Sequence, residues 1–317
     1  MISKIQNVKG GITGDMRGIV TDIMRFSLKD GPGIRTTVFL KGCNMVCKWC
    51  HNPETLSIKP QLLSYSDRCI GCFACAMACK YGATVIEGYG PGSKLAFYKD
   101  KCVNCGACAD VCYTGARVMS GKEMSVDEVM TEVLQDINYY QNSGGGVTIS
   151  GGEVSVQHEF ALAILAACKK AGIHTAIETN MHADWRVFER LIPELDLVML
   201  DAKLFDNESH RKWTGVSNSL ILENIKKISQ CLPIIVRTPV IPGVNDTEEE
   251  IAKIASFVKG LDNVEYYELL LYNPLGESKY QALGMENQFS GQKPQSGEKK
   301  RLLMKAAEAC DKVVKVL

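Results

Sequence analysis

The sequence carries no net charge: 36 basic side chains balance 36 acidic ones over 317 residues. That balance excludes a dedicated nucleic-acid binder, which needs a basic surplus to neutralise phosphates. A run of about 18 apolar residues, the length a membrane span requires, is also missing. Met1 to Met16 is polar and glycine-bearing with no apolar h-region, so no secretory leader is expected and a cytoplasmic location is. Low-complexity tracts are absent. No G-x-G-x-x-G follows the first expected strand, which weakens a dinucleotide-binding fold. What is left is ordinary globular composition, 46% hydrophobic and 23% charged. The chain is long enough for one large α/β domain or two.

Cysteine is in excess. There are 14, and eleven of them crowd between Cys43 and Cys112 at gaps of two or three residues. In a long chain without a leader, such crowding reads as metal ligation rather than disulfide pairing. Cys168, Cys231 and Cys310 are isolated in apolar helical surroundings and are expected to be small core hydrophobes.

Outside the cysteine-dense region, strands and helices alternate. Six apolar strands are expected at Thr36–Gly42, Gly146–Ser150, Ile173–Thr179, Leu195–Lys203, Pro233–Ile241 and Glu265–Asn273. Ser125 with Glu128 forms a capping box that opens a helix. Further helices are expected up to about Lys170, after Asp184, from about Asn218, from Thr247 to near Gly260, and from Ser296 to Asp311. This alternation implies a parallel sheet with right-handed crossovers, either a doubly wound sheet or an open barrel of six βα units. The cysteine-rich stretch is expected as an inserted small domain, dividing the chain into 1–63, 64–120 and 121–317.

Cys69, Cys72, Cys75 and Cys79 make C-x2-C-x2-C-x3-C, and Cys102, Cys105, Cys108 and Cys112 repeat it. Consecutive thiolates at this spacing wrap one [4Fe–4S] cube while the fourth reaches the neighbouring cluster. The expected ligand sets are therefore Cys69, Cys72, Cys75, Cys112 and Cys102, Cys105, Cys108, Cys79. Lys80 and Tyr113 stand where proline often follows. Two structural zinc sites are the alternative, but zinc motifs rarely place four cysteines so close together. Cys43, Cys47 and Cys50 form C-x3-C-x2-C directly after the first strand. Three thiolates hold three irons of a cube and leave the fourth open, and eleven cysteines are three sets of four short by one. His51 is either a fourth ligand or a loop residue.

The C-x3-C-x2-C motif with Trp49 before its last cysteine resembles the radical S-adenosylmethionine superfamily. Asp30–Thr36 (DGPGIRT), the CxxxCKWCxNPE run and Leu275–Gly284 (LGESKYxALG) are similar to the glycyl-radical-enzyme activating enzymes. The resemblance covers nearly the whole chain, and the double-cluster insert is a feature of some members of that family. It implies a partial (β/α)6 barrel with a ferredoxin-like insert, three [4Fe–4S] clusters, and S-adenosylmethionine bound to the open iron. One electron then splits S-adenosylmethionine into methionine and a 5′-deoxyadenosyl radical, which takes a hydrogen from the Cα of a glycine in a partner glycyl radical enzyme. The electron must arrive at about −400 mV or below. A flavodoxin or ferredoxin is the implied donor, the insert clusters are relays, and the enzyme is an anaerobic monomer.

The resemblance also implies site residues, all at C-terminal strand ends, where parallel α/β folds build their sites. Gly151, Gly152 and Glu153 would hold the methionine amino group, with Val154 where the family usually has proline; a plain strand-to-helix turn is the alternative. Glu178, Thr179, Met199 and Asp201 would bind a monovalent cation touching the cofactor carboxylate. Lys203 would stand near the substrate glycine as the catalytic residue; an Asp201–Lys203 rim pair is the alternative. Arg237 suits a bidentate grip on the cofactor carboxylate, or a barrel-end ion pair. Asn273 would meet the adenosine sugar where relatives commonly carry histidine. His158, His174, His182 and His210 have no ligand spacing and read as surface or packing residues. Two rival readings are a radical S-adenosylmethionine enzyme acting on a small molecule or maturing a peptide, and an electron-carrying ferredoxin module on an inert barrel.

Overall fold

A computed structural model describes residues 16–317; the polar N-terminal stretch, all but Met16, lies outside the described residues. The chain opens with strands β1 (Arg17–Ser27) and β2 (Arg35–Leu40). The insert follows as β3 (Gln61–Ser64), α1 (Ala74–Ala78), β4 (Thr84–Glu87), β5 (Lys94–Phe97), α2 (Ala107–Asp110) and β6 (Arg117–Ser120). The chain re-enters the main body through β7 (Lys122–Ser125), α3 (Val126–Val133), α4 (Ile137–Ser143), β8 (Gly146–Gly151) and α5 (His158–Lys170). Then come β9 (His174–Thr179), α6 (Trp185–Leu191), β10 (Leu197–Asp201), α7 (Asn207–Thr214), α8 (Ser219–Ser229) and β11 (Ile234–Val240). The chain closes with α9 (Glu248–Lys259), β12 (Val264–Leu271), α10 (Glu277–Leu283), α11 (Gly297–Ala307) and β13 (Val314–Val316).

Nine strands form one sheet in the order β13-β12-β11-β10-β9-β8-β2-β1-β7. The six expected strands are β2 and β8 to β12, side by side in chain order and parallel throughout. A doubly wound sheet reverses its strand order at a switch point. Among β2 and β8 to β12 the order never reverses, which matches the winding expected of a partial (β/α)6 barrel. The antiparallel pair β1 and β7 extends one edge, and β13 extends the other in parallel. The sequence reading missed β1. Eight of its eleven residues are exposed or only partly buried, so its hydrophobic alternation is weak, and Asp22 and Arg25 break it further.

Side-chain alternation separates two faces of the sheet. Val38, Ile149, Ile177, Val198, Val236 and Leu269 are fully buried in the layer shared with the helices. The intervening positions carry polar side chains into the barrel lumen: Thr37, Thr148, Ser150, Glu178, Asp201, Arg237 and Glu268. The helices start where local chemistry allows. The Glu128 N–H donates to Ser125 Oγ at 3.2 Å and the Ser125 N–H to Glu128 Oε2 at 2.7 Å, the expected capping box. Among the described residues no helix is long and apolar enough to cross a membrane.

The insert is necked by the antiparallel β3–β6 pair, in register from Gln61 opposite Ser120 to Ser64 opposite Arg117. Its two cysteine halves repeat in backbone detail. Phe73 and Gly106, each just after the second cysteine of its half, are left-handed at φ 60° and 85°. Gly71 and Asn104, just before that cysteine, are left-handed too. One expectation fails outside the insert. Cys168 and Cys310 are buried, but Cys231 is exposed. It sits in the turn after α8, where Leu232 rather than Cys231 turns into the core.

Candidate active site at the open end of the barrel

The C-terminal ends of β2 and β8 to β12 surround a cavity of about 470 Å³. Cys43, Cys47, Trp49, Cys50, Gly151, Gly152, Glu153, Glu178, Thr179, Met199, Asp201, Lys203, Arg237 and Asn273 all border it. Every residue the sequence reading assigned to the barrel site is therefore gathered in one place.

The cysteine loop is held on the strand ends by glycine. A Cβ on Gly151 would lie 2.1 Å from the Leu40 carbonyl oxygen, and one on Gly152 would lie 2.2 Å from that of Gly42. Only glycine lets the end of β8 lie on the backbone that launches the loop. Two hydrogen bonds fix the approach: the Gly152 N–H to Leu40 O at 2.9 Å, and the Glu153 N–H to Gly42 O at 2.8 Å. Glu153 is buried, and its carboxylate accepts from Thr179 Oγ1 at 2.7 Å, the Asn180 N–H at 2.7 Å and the Ser155 N–H at 3.1 Å. Burial raises its pKa and these donors oppose the rise. Both oxygens thus brace the β8 turn against the end of β9. Val154 is fully buried in the core and fills the place expected for proline.

The lumen beneath is ionic. Arg237 donates from Nε to Glu268 at 2.8 Å, from Nη1 to Glu178, and from Nη2 to the Lys29 carbonyl at 2.8 Å. Ser150 donates to Glu178. Burial pushes the Glu178 pKa up, while Arg237 pulls it down. Lys203 pairs with Asp201, and its ammonium lies close enough to Cys47 and Cys43 for their charges to matter. Burial alone would lower its pKa, but Asp201 and then Cys47 outweigh that and raise it. Met199 packs in the lumen against Ala176, Leu197 and Ile235, and Thr179 turns its hydroxyl to Glu153. His51 donates from Nε2 to the Asn273 carbonyl at 2.9 Å, which makes it a brace between the cysteine loop and the end of β12.

Glu268 and Asn180 were missed in the sequence. Glu268 stands directly opposite Arg237 in the β11–β12 register, as Asp201 does in β10–β11. The available signal was an acid, Glu268, in the middle of a strand that also carries Glu265 near its start. Asn180 holds Asn44 of the cysteine loop, Nδ2 to Oδ1 at 3.0 Å, and its position after Thr179 gave no signal. Of the other histidines, His210 is buried with Nδ1 2.7 Å from the Val216 carbonyl, His174 lies beside Arg35, and His158 is part-exposed beside Glu159.

The donor chemistry fits iron–sulfur clusters. Burial pushes the Cys43 thiol up to about 11 and the Cys50 thiol up to about 12. Such thiols need a bound metal's charge to ionise. Among the described residues, no three His, Cys, Asp or Glu side chains meet closely enough to share one ion. A cube takes one thiolate at each corner and needs no such convergence. In the insert, Cys79 borders a small cavity with Cys102, Cys105 and Cys108, and the Cys75 thiol is near Cys69 and Cys112. The fourth cysteine of each half receives a backbone N–H five residues on, Thr84 to Cys79 at 3.4 Å and Arg117 to Cys112 at 3.3 Å.

Comparison with known proteins agrees with this geometry. The radical SAM superfamily matches residues 101–255, a 4Fe-4S dicluster domain matches 68–116, and a 4Fe-4S single cluster domain matches 29–87. A (2S)-3-sulfopropanediol sulfolyase activating enzyme of Bilophila wadsworthia is 44% identical, over 90% of this chain and 95% of its own. The chain belongs to the glycyl-radical-enzyme activating enzymes. A trans-4-hydroxy-L-proline dehydratase activating enzyme of Clostridioides difficile is 43% identical, over 84% of this chain and 87% of its own. An isethionate sulfite-lyase activating enzyme of Oleidesulfovibrio alaskensis is 42% identical, over 83% of this chain and 86% of its own. As a member, this activating enzyme uses iron–sulfur clusters to cleave S-adenosylmethionine reductively and abstracts hydrogen from a glycine of a partner glycyl radical enzyme. The three relatives serve different partners at nearly equal identity, so overall likeness does not single out one partner.

Proposed function

We propose that Cys43, Cys47 and Cys50 hold a cluster with one open iron at the barrel mouth, and that S-adenosylmethionine lies over it across Gly151 and Gly152. One observation carries this reading: the three thiols, the glycine turn and the ionic lumen border a single cavity. When bound, the cluster supplies the electron that splits the sulfonium and releases the 5′-deoxyadenosyl radical. The chain's own residues do the rest. Gly151 and Gly152 admit the methionine backbone closely, Glu153 fixes that turn, and Arg237 offers its remaining N–H groups to a carboxylate. Lys203, held by Asp201, stands between the thiols and the lumen where the substrate glycine enters. Trp49 packs with Leu204, Ile241, Tyr272 and Phe289 and keeps the adenosine end dry beside Asn273. A monovalent cation beside Glu178, Thr179, Met199 and Asp201 would offset the mutual repulsion of the Glu178 and Asp201 carboxylates.

The test is isotopic. With deuterium at Cα of the partner's reactive glycine, one deuterium should appear in 5′-deoxyadenosine and a glycyl radical signal on the partner. A primary alkyl radical is far less stable than a backbone glycyl radical, so the transfer runs downhill. Nucleoside formed in full without deuterium would hand the reaction to a small-molecule or peptide-maturing reading.

The insert's eight cysteines are proposed to hold two further clusters, Cys69, Cys72, Cys75, Cys112 and Cys102, Cys105, Cys108, Cys79, that relay electrons from a flavodoxin or ferredoxin. Cys72→Ala with Cys105→Ala should slow turnover with such a protein donor several-fold and leave the affinity for S-adenosylmethionine unchanged. Equal turnover with the protein donor would leave the insert a docking or structural module.

A further inference from the structure

The segment Leu275–Gly284 is a motif for which the cavity provides no role, yet it contains α10, which sits between the cysteine loop and the insert. We propose that α10 is the contact through which the insert passes its electron to the open-site cluster, an inference that rests on the three-cluster reading above.

One end of the helix presses on the cysteine loop. A Cβ on Gly276 would lie 3.1 Å from His51 Cα, so the backbone there is already in close contact with the residue after Cys50. Lys279 Nζ donates to Asn52 Oδ1 at 2.7 Å and Glu54 Oε1 at 2.6 Å, fastening the helix to the chain just beyond that cysteine. Tyr280 is buried and borders a small cavity with Cys50.

The other end presses on the insert. Ala282 and Leu283 pack against Leu63 of β3, and Lys99, three residues before Cys102, donates to the Leu283 carbonyl at 2.7 Å. Strand alternation then completes the path. Leu63 faces α10, whereas its neighbour Leu62 packs in the insert core with Cys75 and Cys108. The Leu62 N–H also donates to Asn104 Oδ1, within the Cys102–Cys105 loop, at 2.9 Å. Cysteine core, β3 and Leu283 thus form a packed path to α10, whose Gly276 and Tyr280 reach the Cys50 end of the open-site loop.

Electron tunnelling falls steeply across a gap, so a packed bridge is what a relay requires. The step is one electron. A reduced insert cluster goes from its +1 to its +2 state as the open-site cluster goes from +2 to +1, and no proton moves. The electron enters from a low-potential one-electron donor.

The test uses the full chain with its clusters reconstituted and S-adenosylmethionine bound. The protein is mixed with reduced flavodoxin and frozen at intervals, and paramagnetic resonance follows the electron from the insert signals to the open-site signal. Tyr280→Leu should slow arrival at the open site at least about tenfold, and Lys99→Met, which lies outside the barrel, several-fold. Iron content and thermal midpoint should match the wild type, and so should cleavage driven by excess of a small photochemical donor that reaches the open site directly. Arrival at the wild-type rate in both variants would overturn the link. A wild-type protein with no third signal that changes on adding S-adenosylmethionine would instead sink the function reading, and the link with it.

Discussion

Replacing Cys43, Cys47 and Cys50 together by alanine should end S-adenosylmethionine cleavage while the chain keeps about eight of about twelve irons. The three thiols stand at the barrel mouth, whereas Cys75, Cys102 and Cys108 of the insert pack in a separate core around Leu62. Losing the first set leaves that second core untouched. The cysteine loop itself should stay in place. It is pinned by the Gly152 and Glu153 N–H bonds, by Asn180 on Asn44 and by His51 on Asn273, none of which uses a thiol. Iron analysis, resonance spectra and product assay on one preparation check all three parts. Residual 5′-deoxyadenosine above the protein-free control would mean that the open site lies elsewhere. Loss of all iron would mean that the clusters fold as one unit.

The sequence exposed this site because its chemistry is written in short spacings. Cysteine gaps of two and three residues fix which thiolates can share a cube, and Gly151–Gly152 marks a backbone approach that no Cβ survives. The six barrel strands were legible for a related reason: their apolar helix-facing residues form short runs that alternate with amphipathic helices. The lumen was less legible. Arg237 and Glu178 each stood out as a charge near a strand end, but their partnership spans 59 residues and depends on register, which one sequence does not display. Glu268 needed the same register to be seen. β1 was hidden for the opposite reason, since an antiparallel strand near the sheet edge with one face half-exposed needs little hydrophobic contrast. α10 was visible only as a motif without a mechanism. Its work is to touch two distant parts of the chain at once, and that is a property of the fold.

The lumen pairing makes Arg237→Met the most damaging single substitution expected for stability. Arg237 and Glu268 are both nearly inaccessible, and Glu178 is three-quarters covered. Removing one member of a buried pair strands the other charge, at a cost of about 3–5 kcal/mol, and here one cation serves two carboxylates. The loss should depend on pH with a definite sign. Burial raises the Glu178 pKa even with Arg237 present, and without Arg237 its folded value must rise further above the unfolded one. A carboxyl whose folded pKa lies above its unfolded pKa is bound by protons more tightly in the native state. Its contribution is therefore intact below the unfolded carboxylate range and lost as pH rises through the folded pKa. The stability gap between variant and wild type should accordingly be smallest in acid and widen toward neutrality. Adding Glu268→Met to Arg237→Met removes one stranded charge and should recover part of the loss, which simple damage to packing would not do. Chemical unfolding of the three proteins across pH decides the matter: a gap that is flat with pH, or no recovery in the double variant, would show that the lumen charges are solvated rather than paired.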